Sequence, residues 1–293
     1  MPGDSLVDLL DAAAQQRSRP DGTPYRALLW QDEIDTAAAS GLSLHQVECA
    51  ALAQNIVPER YSRNQKTLSN ADQLRLLNSR VAIIGLGGLG GTLTELLARI
   101  GVGRLTLVDG DIFDESNLNR QLLSSPAVLG RAKAEVAGQR VAEINPAVQT
   151  TIVPRFLDAE NSQEILTGCG LAVDCLDSIA ARFLLGEACA AGNIPLVSAA
   201  IGGTSGQATV ILPGGDGLQR IYGPAETAPA RGSETAYGTL PFTAWQLSAV
   251  ECAETVALLL GRPAALESRL LLLDTLDHSC HLVDLGGGVR PTE

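Results

Sequence analysis

The sequence predicts a Rossmann-like, doubly wound α/β fold with a mostly parallel sheet, and three features predict it. From residue 80 onward, short apolar runs of strand length alternate with segments of helical period. Those runs are continuous stretches of Val, Ile and Leu rather than alternating patterns, as in strands covered on both faces. A glycine-rich turn, GLGGLGG (85–91), joins the first such strand to the first such helix.

Residues 1–57 read as a helical N-terminal extension, separate from the main domain of 58–293. Leu6, Leu9, Leu10 and Ala13 recur at helical spacing, and a break rich in Pro, Gly and Asp follows at Ser18–Pro24. A second helix is expected over 25–39, stopping near Gly41. Ser43 with Gln46 forms a capping box that opens a third helix, which ends before Pro58.

In the main domain VAIIG (81–85) is the first strand, and a helix over 90–101 follows the turn. RLTLVD (104–109) is the next strand, and 131–144 is a helix ending before Asn145-Pro146. Strands are expected at 149–153, LAVDCLD (171–177) and IPLVSAA (194–200), with a helix over 180–191 between the last two. Residues 213–241 are rich in Pro and Gly and show no period, as a functional or mobile loop does. Thr243 with Gln246 suggests a capping box for a helix to about 260. RLLLLD (269–274) and HLVDL (281–285) form a C-terminal antiparallel hairpin.

Composition narrows the function classes. The 293-residue chain is 45% hydrophobic, enough for a sizeable core. Its formal charge of −12 argues against general nucleic-acid binding, which depends on basic residues neutralising phosphates. The apolar stretch 244–260 is interrupted by Glu251 and Glu254, as a buried helix is and a membrane span is not. The N-terminus carries no pattern of a secretory signal, and six cysteines (49, 169, 175, 189, 252, 280) lack framework spacing; a cytoplasmic protein with reduced thiols is expected.

Gly85, Gly87 and Gly90 give the G-x-G-x-x-G spacing, with Gly88 between them. Glycines here permit a tight turn and bring backbone N–H groups to an anion at a helix N-terminus. Asp109 ends the next strand, where an acidic residue hydrogen-bonds ribose hydroxyls in this architecture. NAD, FAD, S-adenosylmethionine and ATP all remain open on the motif alone.

The residues that follow narrow the choice. DGDIFDESNLNRQ (109–121), GRAKAE (130–135), DCLDS (174–178), IPLVSAAIGGTSGQ (194–207) and RYSRNQ (60–65) occur in order around the glycine turn. This set resembles the MoeB/ThiF/HesA family, relatives of the ubiquitin-activating enzymes, from about Arg60 to Leu285. The resemblance implies a homodimeric adenylyltransferase that uses ATP and Mg²⁺ to activate the C-terminal Gly-Gly of a ThiS- or MoaD-like sulfur carrier. The carrier tail would pass beneath the crossing loop at about 213–241. The pathway would be that of molybdenum or tungsten pterin, thiamine or another thiolated metabolite.

That chemistry suits these residue types. The carrier carboxylate is already ionised at neutral pH, so its attack on the α-phosphorus needs no general base. The site must instead hold a polyanion and stabilise charge on the phosphoryl oxygens. The resemblance assigns this to Arg120 and Lys133, with Asp177 holding Mg²⁺ on the phosphates. It gives Asn117 a role in orienting a phosphate or the attacking carboxylate, and places Gln121 and Asp111 at the nucleotide. Arg63, the second arginine of RYSRNQ, would reach into the partner subunit's site. Simpler readings stand beside these: a surface charge for Lys133, a surface ion pair for Arg120, a helix cap for Asp177 and a loop position for Asp111. Only two of the 21 basic residues are lysines, which makes Lys133 at this position informative. Arg182 reads as structural, and the histidines (45, 278, 281) lie outside every motif.

The sequence also departs from the family. The two C-x-x-C pairs that hold zinc in many relatives are missing, since 212–223 has no cysteine and the tail has only Cys280-His281; no structural zinc is expected. Ser233 stands near the family's crossing-loop cysteine, and Cys252 reads as core. Adenylation with sulfur delivered by another protein is the expected activity. A tRNA threonylcarbamoyladenosine dehydratase-like enzyme and a non-catalytic carrier-binding scaffold are the alternatives, ahead of a nicotinamide dehydrogenase.

Overall fold

The computed structural model describes residues 5–230, 232 and 234–286. Ser233 and the tail beyond Gly286 lie outside these residues. The chain runs α1 (Leu6–Ala13), β1 (Gln15–Ser18), β2 (Pro24–Leu28), α2 (Trp30–Ser40), α3 (Leu44–Ala53) and β3 (Ile56–Pro58) through the N-terminal extension. The main domain follows as α4 (Asn70–Asn78), β4 (Arg80–Ile84), α5 (Gly88–Ile100), β5 (Arg104–Val108), α6 (Lys133–Ile144), β6 (Gln149–Val153), α7 (Ser162–Leu166), β7 (Leu171–Asp174), α8 (Ile179–Ala191) and β8 (Leu196–Gly202). It ends with β9 (Ser205–Ile211), α9 (Gly217–Tyr222), α10 (Glu234–Tyr237), α11 (Pro241–Leu259), β10 (Arg269–Asp274) and β11 (Ser279–Asp284).

The main sheet has the order β11-β10-β9-β8-β7-β4-β5-β6. Strands β6, β5, β4, β7 and β8 are parallel, and β9 to β11 continue the sheet antiparallel. Every residue of β7 is buried, and β4 is buried after Arg80, which accounts for the apolar runs of both strands up to Asp174 at the end of β7. One face carries α5, α6 and α11 over Leu93, Leu97, Val141 and Leu247; the other carries α7, α8 and α9 over Ile84, Leu185 and Leu218. Chain connections leave β4 toward β5 on one side and return to β7 on the other. The carboxyl ends of β4 and β7 therefore flank a topological switch point, where ligands bind in open α/β sheets.

The extension corrects the expected helix over 25–39. Residues 24–28 form β2, paired antiparallel to β1 and parallel to β3, and α2 starts only at Trp30. Ala27 and Leu28 are fully buried, so pairing and burial outweigh the helical look of the segment. The break at 18–24 is the hairpin turn between β1 and β2, closed by Gly22 N–H to Arg19 O at 2.9 Å with Gly22 at φ 84°. The Ser43–Gln46 capping box is present. The one expected at Thr243–Gln246 is not: α11 begins at Pro241, and the Thr243 hydroxyl instead donates to Gly203 O at 3.0 Å. Among the described residues no helix is long and apolar enough to cross a membrane.

Candidate functional site

Two glycines of the turn are dictated by packing. Gly85 sits at φ 91°, and a Cβ there would lie 2.6 Å from the Cys175 carbonyl oxygen. A Cβ on Gly90 would lie 1.8 Å from Gly85 O, so the first turn of α5 can approach the strand only without a side chain. Gly87 and Gly88 differ. A Cβ at either would meet only ordinary contacts, with the Gln121 amide at 3.6 Å and Ala244 at 3.4 Å. These two positions are half-buried at the N-terminus of α5, where the first N–H groups have no intrahelical partner.

Asp109 fixes the turn. Its carboxylate accepts from Leu86 N–H at 2.7 Å with one oxygen and from Asp111 N–H at 2.8 Å with the other. Both oxygens are thus engaged by backbone. Asp111 is the more accessible carboxylate, its side chain 58% exposed, and it meets Lys133 Nζ at 3.1 Å. Lys133 opens α6 yet is buried, so a loose surface charge does not describe it.

The NLNRQ loop folds over the glycines. Asn117 is buried and accepts from Asp114 N–H at 3.1 Å, which holds the loop's own turn. The stem of Arg120 lies over Gly88, and its guanidinium donates to Ser116 O at 3.0 Å and to Asn119 Oδ1 at 2.8 Å. Burial pushes Arg120 below its ordinary value, and the field of the nearby Asp177 acts the other way. Gln121 is buried beside Gly87, and its Oε1 has no hydrogen-bond partner. An orphaned acceptor in that position fits a site shaped for a polar ligand.

On the far side of the switch point Asp177 is exposed, and Ser178 rather than Asp177 caps α8. Arg182 is structural as expected. It is buried, bonds Asp174 at 2.6 Å and Ala199 O at 2.7 Å, and also donates to Leu176 O, fixing the loop that carries Asp177. A cavity of about 420 Å³ runs from Asp177 past Gly202 and Gly206 to Leu272. Tyr222, from the crossing loop, accepts from Gln207 at 2.8 Å at its edge. A second, wider cleft of about 600 Å³ opens beyond the end of β5. Its lining includes Gly110 and Phe156, whose ring packs on Gly110 yet is 65% exposed.

Sequence reasoning missed Phe156, which no motif contains, and the Cys175–Glu251 pair beneath the turn. Burial, and then Asp174, push the Glu251 carboxyl far up; burial and then Glu251 do the same to the Cys175 thiol, 3.8 Å away. Two glutamates inside an apolar helix were the available signal. Cys252 is likewise pushed up to about 12 by burial. Among the described residues no three His, Cys, Asp or Glu side chains converge as a metal cluster.

Arg63 stands apart from these groups. Tyr61 packs on Gly101 at the C-terminal end of α5, and Gln73 links Asn64 to Ile100 O by bonds of 3.0 and 2.8 Å. The glycine turn is at the other end of this 13-residue helix, about 20 Å away. The fold brings Asp109, Asp111, Asn117, Arg120, Gln121, Lys133 and Asp177 around the turn, and leaves the exposed Arg63 outside.

Residues 61–287 match the model of the ThiF family. The chain belongs to the ThiF family. It is 36% identical over 224 residues to the SAMP-activating enzyme E1 of Haloferax volcanii, covering 75% of this chain and 82% of that protein. It is 35% identical over 205 residues to the sulfur carrier protein ThiS adenylyltransferase of Escherichia coli, covering 69% of this chain and 81% of that protein. The chain spans about half, 48%, of the adenylyltransferase and sulfurtransferase MOCS3 of Drosophila virilis, at 35% identity. The crystal structure of E. coli tRNA N6-threonylcarbamoyladenosine dehydratase, TcdA, matches with a TM-score of 0.59 at 23% identity, covering 69% of this chain and 95% of that one. At that identity the likeness is one of fold.

Proposed function

We propose that this family member uses ATP to adenylate the C-terminal Gly-Gly carboxylate of a ubiquitin-like sulfur carrier, and that it acts as a homodimer. The observation that carries the reading is the set of groups around the glycine turn: buried Lys133, Arg120 over Gly88, and the unpartnered Gln121 Oε1. The relatives' names supply the class of substrate.

The phosphates of ATP lie at the N-terminus of α5, where backbone N–H groups and Gly87 and Gly88 admit them. The cleft beyond β5 takes the adenosine, with Phe156 as a surface for the base and Asp111 within reach of the ribose. The carrier tail enters along the cavity that ends at Asp177. A carboxylate oxygen bonds to the α-phosphorus as the bond to the pyrophosphate oxygen breaks, and pyrophosphate leaves with that electron pair. No proton moves, consistent with the absence of histidine from the described site. Arg120 and Lys133 stabilise the charge on the phosphoryl oxygens. Bound Mg²⁺ would neutralise phosphate charge; the exposed Asp177 would hold it, and one carboxylate suffices when phosphates and water complete the shell. Burial pushes the Cys175 and Cys252 thiols up and away from the reactive thiolate, which supports sulfur delivery by another protein.

The test is carrier-dependent ATP–pyrophosphate exchange with Mg²⁺ and a panel of ThiS- and MoaD-like carriers. Exchange that requires the terminal Gly-Gly is expected. ATP binding without exchange for any carrier would favour a carrier-binding scaffold instead.

A further inference from the structure

The family match begins at residue 61, so the matched region leaves α1 to β3 without a role. Their contacts converge on one short stretch of chain. The Tyr25 hydroxyl donates to Glu59 at 2.8 Å. Arg60 is held by Glu33 at 3.1 Å and Glu48 at 3.0 Å, with its guanidinium 5.0 Å over the Trp30 ring. Glu48 also accepts from the Tyr61 hydroxyl at 2.9 Å. Past Arg63, Arg19 reaches Gln65 at 3.3 Å while stacking on Tyr25, and Asp21 pairs with Lys66. These partners come from the extension, on both sides of Arg63, and add to the main-domain bonds of Asn145 to Arg60 and Tyr61 and of Gln73 to Asn64.

Lys66 adopts φ 84°, an uncommon conformation for a side-chain-bearing residue, and the Asp21 contact falls on this residue. Arg63 itself projects into solvent from the middle of the clamped stretch. A flexible loop would have to order its arginine each time a ligand bound. A loop fixed at both ends carries that ordering cost in the folded state already.

We propose that the N-terminal extension is a positioning scaffold, whose β1–β2 hairpin and α2–α3 pair hold residues 59–66 rigid so that Arg63 is presented to the partner subunit's nucleotide. This rests on the homodimer proposed above and on the reach of Arg63 across it that the family resemblance implies. The positioning residues are Tyr25, Glu33 and Glu48, which hold the chain before Arg63, and Arg19 and Asp21, which hold it after.

The test compares ATP affinity in the full-length protein with Mg²⁺ present, using ATP itself as the probe. Arg63→Ala is expected to weaken ATP binding about tenfold, as the loss of one charge-assisted phosphate contact does. The triple variant Arg19→Ala/Asp21→Ala/Tyr25→Phe, which alters only partly or fully exposed contacts, should weaken it by a similar factor. Adding Arg63→Ala to the triple variant should then cost nothing more, because both changes remove the same interaction. Amide hydrogen exchange over 59–66 should rise in the triple variant while α5 and β4 stay protected. A merely structural role predicts losses that multiply in the combined variant, and that outcome would overturn the proposal. So would unchanged exchange at 59–66, or faster exchange with ATP affinity intact. Wild-type protein that binds no ATP removes the adenylation reading as well; wild-type binding with Arg63→Ala unaffected removes this proposal alone.

Discussion

Replacing Lys133 with methionine separates catalysis from folding at a single atom. Methionine keeps most of the buried stem and deletes the ammonium group. In the resting site that group has one charged partner, Asp111 at 3.1 Å, whose side chain is 58% exposed. Water can take over at Asp111, and such half-exposed pairs contribute only about 0–1 kcal/mol. The thermal midpoint of Lys133→Met should therefore stay close to wild type. Activity should not. If the ammonium meets charge developing on the phosphoryl oxygens, its removal costs about 2.7 kcal/mol or more at the transition state, roughly 100-fold in rate. The assay is ATP–pyrophosphate exchange at saturating carrier, read beside thermal denaturation of the same sample. Exchange within about threefold of wild type, far less than a lost preorganised charge costs, would remove Lys133 from the chemistry. A large fall in midpoint would mean that its burial serves the fold instead.

Three further outcomes are expected. Random mixing of Arg63→Ala with Lys133→Ala subunits makes half the dimers mixed, each with one intact site, so activity should return to about a quarter of wild type if Arg63 works across a two-fold interface; no return in verified mixed dimers refutes that. Phe156→Ala should weaken ATP binding about tenfold through lost stacking, and unchanged affinity measured by calorimetry would take the base out of this cleft. Burial and then Glu48 raise Glu33 to about 8, and burial raises Glu48 to about 7. The folded state thus holds protons that the unfolded chain releases from about pH 4.5 upward, so these residues' contribution is present at low pH and lost as pH rises toward 8. Glu33→Gln should flatten the decline of the thermal midpoint between about pH 6 and pH 9, and parallel slopes for variant and wild type would refute the assignment.

Much of the site was legible because its residues obey local rules. Gly85 and Gly90 announce a backbone approach that no other residue permits, and the structure shows that approach directly. Lys133 stood out by scarcity in an arginine-rich chain. What stayed hidden depends on distant parts of the chain meeting. Residues 24–28 carry no strand pattern of their own and become β2 only because β1 and β3 flank them. Thr243 resembles a cap, but the carbonyl of Gly203, 40 residues away, claims its hydroxyl. Phe156 gains meaning only because Gly110 lies beneath its ring. The extension looked unrelated to chemistry because its contacts with residues 59–66 are almost all between side chains.

The charges around the turn make the case for a second subunit in another way. Four charged side chains of one chain surround the glycine turn: Lys133 and Asp111 as a pair, Arg120 and Asp177 within each other's field. Their formal sum is zero. Asp174 and Arg182 cancel below the floor, and burial pushes the Glu251 carboxyl toward its neutral form. One subunit thus offers oriented charges but no excess of positive charge, in a chain whose net charge is −12. ATP and a carrier carboxylate together bring about five negative charges at neutral pH. Bound Mg²⁺ offsets two of them. A further cation from outside these four groups would offset part of the rest, and Arg63 is an exposed arginine on a clamped loop that its own site does not reach. On the proposed mechanism the site is therefore complete only when a partner supplies that arginine. Dilution that dissociates the dimer should then lower exchange per subunit, while ATP-independent stability of the main domain changes little.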